Sequence, residues 1–334
     1  MEKNILKKEY KIIAHIFGEN RIKINEPLSG HSTINIGGPA DVYLETLNIN
    51  EFIKIIRALK EYNIPFIIIG GGSNILFSDN GFRGVVIKNK ANKIKIVAIK
   101  GNICSEKKDI KRILVEVESG CMVNQLVRFT IEESISGLEY FLGLPGTIGG
   151  AIYMNAHNMH KKEFIGDNLF SAQILNDQGD LLSVTNDYFK FGYDQSIIQK
   201  THDIVISAVF ELKGGCKDDL WKIASEEISY RNKTHPIKPS LGCTFKNISK
   251  SQAMQLATPN YTTSAGYLID RCNLKGVNIG NAQISDKHAN FIINNGGAKA
   301  SDVIQLIKDC KRKVKEKFNI NLCEEIKFIG DFNG

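Results

Sequence analysis

The chain has 334 residues, with 43 Lys and Arg against 36 Asp and Glu, a formal net charge of +7. Hydrophobic residues make up 43% and charged residues 24%, which suits a packed globular protein and excludes a disordered, collagen-like or coiled-coil chain. At roughly 150 residues per domain the length suggests about two domains, and no apolar run reaches the roughly 18 residues of a membrane span.

The positive surplus favours anionic ligands through the summed field. It is too scattered for nucleic acid, since no basic stripe with interleaved aromatics is present. The densest basic run, Lys308 to Lys317, reads as the solvated face of a helix. Ile12 to Phe17 is too short for a signal peptide, follows Lys7, Lys8 and Lys11, and lacks a small-residue cleavage site. A cytoplasmic protein without membrane insertion is therefore expected. Cys104, Cys121, Cys216, Cys243, Cys272, Cys310 and Cys323 are odd in number and form no C-x-x-C, so neither a disulfide framework nor a zinc site is indicated. No metal is expected.

Along the chain, Leu6, Tyr10, Ile13 and Phe17 recur at helical spacing and make residues 1–30 a helical segment. Phe52, Ile56 and Leu59 mark an amphipathic helix behind Asn48 and Asn50. Phe66 to Ile69 reads as a buried strand, followed by a glycine turn, a short strand at Ile75 to Phe77 and another at Val85 to Ile87. Lys93 to Glu118 alternates around a turn near Gly101, suggesting paired strands. Val123, Leu126, Val127 and Ile131 predict a helix, and strands dominate from Ser171 to Leu212. Gly214 and Gly215 mark a boundary, followed by a helix to about Arg231. Ser301 is the expected N-cap of a helix carrying Val303, Ile307, Cys310 and Val314, and a last strand covers Glu325 to Ile329. The mixture argues an α+β fold. The expected divisions are 1–30, 31–213 with subdomains of about 31–100 and 101–213, and 214–334.

Two glycine-rich segments stand out. Gly70-Gly71-Gly72-Ser73-Asn74 follows a strand, but no third glycine completes a dinucleotide fingerprint, and the Gly-Lys-Ser/Thr of a P-loop is missing. What remains is a bare glycine loop, either a tight surface turn or a nest of backbone N–H groups for an anion. Gly143-Leu144-Pro145-Gly146-Thr147-Ile148-Gly149-Gly150 fits neither helix nor strand. Its backbone polar groups need partners, either in a packed loop or on a ligand pyrophosphate. Two such loops in one chain favour a large diphosphate-bearing cofactor.

At these residues the chain resembles the UDP-N-acetylenolpyruvoylglucosamine reductase (MurB) family. The resemblance runs from Thr33 to Gly330. It includes Ile36-Gly37-Gly38-Pro39-Ala40-Asp41, Pro65 through Gly84, Ser136-Gly137-Leu138-Glu139, Pro145 through Gly150 and Met154-Asn155-Ala156. Later come Gly242-Cys243-Thr244-Phe245-Lys246-Asn247, Ser264-Ala265-Gly266 and Ser285 through Phe291, the last two in the manner of the shorter, type II branch. The resemblance implies a two-subdomain FAD-binding domain of the vanillyl-alcohol-oxidase (PCMH) type over 31–213, with a C-terminal α+β substrate domain. It implies that NADPH reduces FAD, and that hydride then passes to UDP-N-acetylglucosamine enolpyruvate, giving UDP-N-acetylmuramate for peptidoglycan.

The site residues follow from the same resemblance. FAD is expected on Gly70, Gly71, Gly72, Ser73 and Asn74, on Pro145, Gly146, Thr147, Gly149 and Gly150, and on Asn155 and Ala156. A side chain at Gly72 is expected to fill the space of the pyrophosphate. The reaction develops negative charge on the substrate's α-carbon and carboxylate, then needs a proton there. Cys243 stands at the family's proton-donor position, and a thiol is largely protonated at neutral pH. Glu325, rather than Glu324, matches the final glutamate of the family's Leu-Glu-Pro-Glu, here Leu322-Cys323-Glu324-Glu325. Tyr193, Arg231, Lys246, Asn247 and His288 are the expected substrate-binding residues.

Three departures stand out. Phe191-Gly192-Tyr193-Asp194 has Asp194 where the family has its catalytic arginine. Met154-Asn155-Ala156 continues His157-Asn158-Met159-His160 instead of Gly-Ala-Tyr-Gly. Asn35 replaces a frequent basic residue. An aspartate adds negative charge where negative charge builds up, so weakened turnover is expected unless another cation, with Arg231 and Lys246 as candidates, compensates. An arginine restored at 194 is expected to raise turnover. The competing reading is a flavin- and UDP-sugar-binding homologue that has lost catalysis.

Overall fold

The computed structural model describes residues 10–100 and 112–332, so Leu6, Cys104 and the turn near Gly101 lie outside the described residues. The chain divides into two compact units, each assembled from separate stretches of sequence. The first comprises Met1–Lys23, Tyr43–Gly71 and Val85–Arg231, and the second Ile24–Val42, Gly72–Gly84 and Asn232–Gly334.

In the first unit an antiparallel sheet runs in the order Leu181–Thr185, Leu169–Leu175, Ile204–Gly214, Arg112–Glu118, Ile94–Lys100. Its register is set by pairs such as Ser207 with Glu118 and Phe210 with Val115. One face carries Val115, Val117, Ala172, Ala208 and Phe210, which pack with Leu126, Ile131, Ile148 and Ile152 from the helices Val123–Glu132 and Ile148–Met154. Alternation along each strand puts these residues on one side, as a half-buried strand requires. Leu220 and Ala224 of the helix Lys217–Thr234 join the same core. That helix therefore belongs with the preceding sheet as far as Arg231, past the boundary expected at Gly214.

The same unit holds the parallel pairing of Phe66–Ile69 with the strand Phe82–Asn89 from Val85 onward, in register from Phe66 with Val85 to Ile69 with Lys88. The helix Ile49–Glu61 buries Phe52, Ile55, Ile56 and Leu59, the i, i+3, i+4, i+7 face of its sequence pattern. Asn48 caps it by accepting from the Glu51 N–H at 3.0 Å.

The second unit has a smaller antiparallel sheet in the order Ser240–Cys243, Phe291–Asn294, Ala282–Ile284, Asn278–Ile279. Over it lies the helix Ala300–Phe318, which buries Val303, Leu306, Ile307, Cys310 and Val314. Two early segments complete this core, supplying Ile34, Ile36 and Leu76. Thr33 Oγ1 donates to the Ser240 carbonyl at 2.6 Å, and Asn294 Nδ2 donates to the Ile34 carbonyl at 2.8 Å. Ile75–Phe77 pairs in parallel with Lys327–Ile329. The contiguous division expected from sequence thus differs from the interleaved one observed, because these contacts join residues some two hundred positions apart.

Two local readings need correction. The first thirty residues are not one helical segment: among the described residues the α-helix covers Lys11–Phe17, and Ile22–Pro27 is a strand with alternating burial. Ser301 does not cap its helix. Asp79 does so from far along the chain, accepting from the Ala300 N–H at 2.7 Å and the Ser301 N–H at 3.0 Å. Among the described residues no helix is long and apolar enough to cross a membrane.

Candidate active site

In the first unit the two glycine-rich segments meet. A Cβ at Gly70 would fall 2.3 Å from Thr147 Oγ1, and one at Gly71 would fall 2.9 Å from the Gly146 Cα. Only glycine leaves room for these approaches, the second of them backbone to backbone. The second segment is fixed on its other side. Val123 N–H donates to the Gly146 carbonyl at 3.0 Å, Ile148 N–H to Cys121 at 2.8 Å and Gly149 N–H to Ser119 at 2.8 Å. Asn124 Oδ1 accepts from the Gly143 N–H at 2.6 Å. Thr147 caps the helix Ile148–Met154 through the Gly150 N–H. Pro145 stands exposed on this loop. The close approach of Gly70 and Gly71 to Gly146 and Thr147 leaves a glycine surface bare of side chains, of the kind that lets a pyrophosphate come close to backbone, so the residues present fit FAD.

Gly72 has a different task. It lies in the second unit with φ +65°, and a Cβ there would fall 2.0 Å from the His31 carbonyl oxygen. A side chain at 72 therefore meets protein backbone before it meets any ligand, which revises the expected effect of substitution there. Ser73 and Asn74 follow in the same unit. Asn74 Nδ2 donates to the Glu325 carbonyl at 3.2 Å, and the Asn74 carbonyl accepts from the Lys327 N–H at 2.9 Å.

Asn155 and Ala156 end the helix that the second loop begins. Asn155, buried with φ +47°, donates from Nδ2 to the Gly192 carbonyl at 3.0 Å and accepts at Oδ1 from the Gly166 N–H at 3.1 Å. Ala156 N–H donates to Ala151 and its carbonyl accepts from Ile165, both at 2.8 Å. Asn155 thereby ties the segment of Tyr193 and Asp194 to this helix. His157 lies against Asp194, Nδ1 to Oδ1 3.4 Å, a residue sequence reasoning marked only as a departure from the family pattern. Arg231 lies against the second loop, its Cδ 3.1 Å from where a Cβ on Gly143 would sit.

The second unit gathers the acid–base candidates. The segment Cys243–Asn247 runs beside Cys323–Glu325: Glu325 N–H donates to the Thr244 carbonyl at 2.8 Å, and Lys246 N–H donates to the Cys323 carbonyl at 2.9 Å. Cys243 and Glu325 are thus brought together on adjoining segments, both half-buried. Glu324 is engaged elsewhere, in an ion pair with Lys311 at 2.7 Å. The position of Cys243 is set by a strand irregularity between Ser240 and Cys243 and by Asn290. Asn290 accepts from the Phe245 N–H at 2.9 Å, donates to the Phe245 carbonyl at 2.8 Å, and accepts from the Thr244 N–H through its own carbonyl at 2.7 Å.

Asn247 Oδ1 accepts from the Ala265 N–H at 3.2 Å, which orients the carboxamide at the end of the segment. Lys246 is half-buried beside it. His288 packs on Phe291 at 4.8 Å, and its Nδ1 accepts from the Asn290 N–H at 3.2 Å. Burial, and then the Lys275 charge, push its imidazole below the ordinary range. Buried Cys121 and Cys310 are pushed up to about 12 by desolvation and remain inert thiols. The polar clamps formed by Asn290, Asn74 and Asn124 are what sequence reasoning missed. Asn290 was visible only as a member of a longer motif, Asn74 was expected on the cofactor rather than as a clamp on the Glu325 carbonyl, and Asn124 carried no signal.

Comparison with known proteins bears on both units. Residues 234–329 match the family described as UDP-N-acetylenolpyruvoylglucosamine reductase, C-terminal domain, and residues 40–185 match the FAD binding domain family. The chain is 37% identical to the UDP-N-acetylenolpyruvoylglucosamine reductase of Lachnoclostridium phytofermentans, covering 98% of each chain. It is 33% identical to that of Clostridium perfringens, over 96% of this chain and 97% of that one. The crystal structure of the reductase (MurB) from Thermus caldophilus superimposes with a TM-score of 0.72 at 28% identity, over 93% of this chain and 99% of that one. The expected fold class, a two-subdomain FAD-binding domain of the vanillyl-alcohol-oxidase type with a C-terminal α+β domain, is borne out. With matched residues in both units and relatives aligned over nearly its whole length, the chain belongs to the UDP-N-acetylenolpyruvoylglucosamine reductase family.

Proposed function

We propose that the protein is an FAD-dependent UDP-N-acetylmuramate dehydrogenase that uses NADPH to reduce UDP-N-acetylglucosamine enolpyruvate in peptidoglycan precursor synthesis. The observation that carries this reading is the hydrogen bond from Glu325 N–H to the Thr244 carbonyl, which puts the glutamate beside the segment of the Cys243 thiol. Family membership supplies the substrate class.

FAD, where bound, would supply the redox chemistry between NADPH and the substrate. The chain's own residues do the rest. Gly70, Gly71, Gly146 and Thr147 present backbone and hydroxyl groups to the pyrophosphate. Hydride addition at the enolpyruvyl β-carbon leaves an electron pair on the α-carbon, spread into its carboxylate. Cys243 gives a proton to that carbon, and the thiolate is reprotonated from solvent. Glu325 is the second acid–base group and acts beside Cys243. Lys246, Arg231 and Asn247 suit the diphosphate and polar parts of the UDP-sugar, with Tyr193 and His288 as apolar-bodied polar contacts.

The test is anaerobic mixing of the purified protein with NADPH and then substrate, followed by flavin absorbance. The protein should be yellow, and acid precipitation should release the flavin. Cys243→Ala should leave reduction by NADPH intact and slow reoxidation by substrate about 10²–10⁴-fold, the loss expected for a positioned general acid. Colourless protein that FAD cannot reconstitute, or equal slowing of both half-reactions, would overturn this reading. The alternative, a binding homologue without catalysis, is motivated by Asp194. It predicts flavin and UDP-sugar binding with no reoxidation by substrate.

A further inference from the structure

Two of the departures from the family pattern, far apart in the sequence, are in contact in the structure. Asp194 replaces the arginine, His157 begins the segment that replaces Gly-Ala-Tyr-Gly, and His157 Nδ1 lies 3.4 Å from Asp194 Oδ1. Both side chains are withdrawn from water, at 13% and 2% exposure. A carboxylate buried to that degree is costly unless a cation accompanies it.

The carboxylate is held rather than merely enclosed. Asp194 has φ +51° in a tight turn closed by Gly192 N–H to Gln195 at 3.0 Å, a backbone state that aspartate tolerates better than most residues. Asn155 fastens this turn at the Gly192 carbonyl, Gln199 Nε2 donates to the Asp194 carbonyl at 3.0 Å, and Ser196 Oγ donates to the Tyr153 carbonyl at 2.6 Å. The turn is thereby anchored to the C-terminal end of the helix Ile148–Met154.

The imidazole is held as well. His157 and Asn158 pair antiparallel with Phe164 and Glu163, and Asn158 Nδ2 donates to the Tyr140 carbonyl at 2.9 Å and to Glu227 at 2.8 Å. Tyr193 and Phe164 flank the ring at 5.0 and 5.4 Å between centroids. The titratable groups on the elements around it are Asp194 and Tyr193 on the turn, Tyr153 on the helix, Glu163 on the paired strand and Asp167 just beyond. Of these, Asp194 is the carboxylate in contact with the ring.

We propose that His157, kept as an imidazolium by Asp194, supplies the positive charge that stabilises the anionic intermediate, with the pair taking the place of a single guanidinium. This rests on the reductase reading above. His157 is the catalytic residue, contacting the substrate carboxylate and transferring no proton. Asp194 is a positioning residue that acts through it. The aspartate that sequence alone made a defect becomes the counter-ion of a replacement cation.

The experiment uses the FAD-loaded, full-length protein in stopped flow. Wild type is first reduced with NADPH and then reoxidised with substrate, and failure there overturns the reductase reading itself. His157→Gln should keep the wild-type rate of flavin reduction and slow reoxidation about 10²–10³-fold, as removal of an oxyanion-stabilising group does. Asp194→Arg in the wild-type background should bring no gain, since it sets two cations together. Added to His157→Gln, it should restore most of the lost rate. A merely structural pair would give losses in both backgrounds.

Histidine side-chain NMR at pH 7 supplies a readout apart from turnover. His157 should show imidazolium carbon and nitrogen shifts that become those of neutral imidazole in Asp194→Asn. A neutral His157 in wild type, or a His157→Gln variant with wild-type reoxidation or equal slowing of both half-reactions, would overturn the proposal, whether or not the arginine variants fold.

Discussion

In the first unit the residues that suit the cofactor are held by close approach, Gly71 to the Gly146 main chain and Gly70 to the Thr147 hydroxyl. Gly70 and Gly71 lie so close to Gly146 and Thr147 that a methyl group at either would collide. In the second unit the residues that suit proton transfer are held by side chains. Asn290 grips both backbone groups of Phe245, Asn74 holds the Glu325 carbonyl, and Asn247 holds the start of the helix Ala265–Arg271. The difference fits the two tasks. A pyrophosphate needs a surface of backbone amides with nothing in the way, whereas a thiol and a carboxylate need their segments fixed in register.

Gly72 sits where the glycine loop passes into the second unit, and it breaks the comparison most sharply. Gly72→Val meets the His31 carbonyl at 2.0 Å from a backbone at φ +65°. The left-handed conformation costs roughly 1–2 kcal/mol and overpacking about 1–3 kcal/mol more. The variant should therefore lose the fold of the second unit, read by chemical denaturation and by hydrogen exchange at Ile34, Ile36 and Leu76. Gly71→Ala faces Gly146 at 2.9 Å and should weaken flavin retention while leaving that exchange unchanged. If Gly72→Val instead kept its denaturation midpoint and lost only flavin, the glycine would serve the ligand and not the fold.

Asn290→Ala sharpens the other half of the comparison. It leaves the buried N–H and carbonyl of Phe245 without the carboxamide. An unsatisfied buried group costs about 1–3 kcal/mol, so a loss of roughly 2–6 kcal/mol follows for the pair. Substrate-driven reoxidation should slow with it, and flavin content should hold. A variant that lost flavin but kept its midpoint would mean that the clamp serves the cofactor.

The contrast also separates what the sequence disclosed from what it hid. Periodicity and glycine punctuation located Phe66–Ile69, the helix Ile49–Glu61, the helix Val123–Glu132 and both loops, because those signals act within a turn or two of chain. Motif order marked Cys243 and Glu325 as candidates, and their segments adjoin. Ser301 looked like an N-cap by local rule, yet Asp79 occupies that role from a loop far upstream. The interleaving of the two units and the meeting of His157 with Asp194 are likewise non-local. Nothing in the spacing of either residue announces the other, so aspartate in place of arginine read as a loss until its neighbour was seen.

Acid should also tell the units apart, by a smaller margin. In the first unit Arg21 donates to both oxygens of Glu51, at 2.8 and 3.0 Å, and lowers its carboxyl from the usual 4.5 to about 2 against the opposing effect of burial. The folded value lies below the unfolded one, so this contribution is complete above pH 4.5 and drains away as pH falls toward 2. The pair is partly exposed, and exposed pairs are worth about 0.2–1 kcal/mol. In the second unit burial, and then Lys275, lower His288 from the usual 6.5. The unfolded chain takes up that proton first, so stability starts to fall as pH drops below 6.5 and levels off once the folded value is passed. Between pH 6.5 and 5 the second unit should therefore weaken while the Glu51 pair stays intact. His288→Gln should flatten the decline in that window, and Glu51→Gln should leave it unchanged and reduce the loss below pH 4.5. Denaturation midpoints across pH 3–8, with exchange resolved by unit, would read both. A His288→Gln protein that tracks the wild type from pH 7 to 5 would show that this histidine does not set the second unit's response to acid.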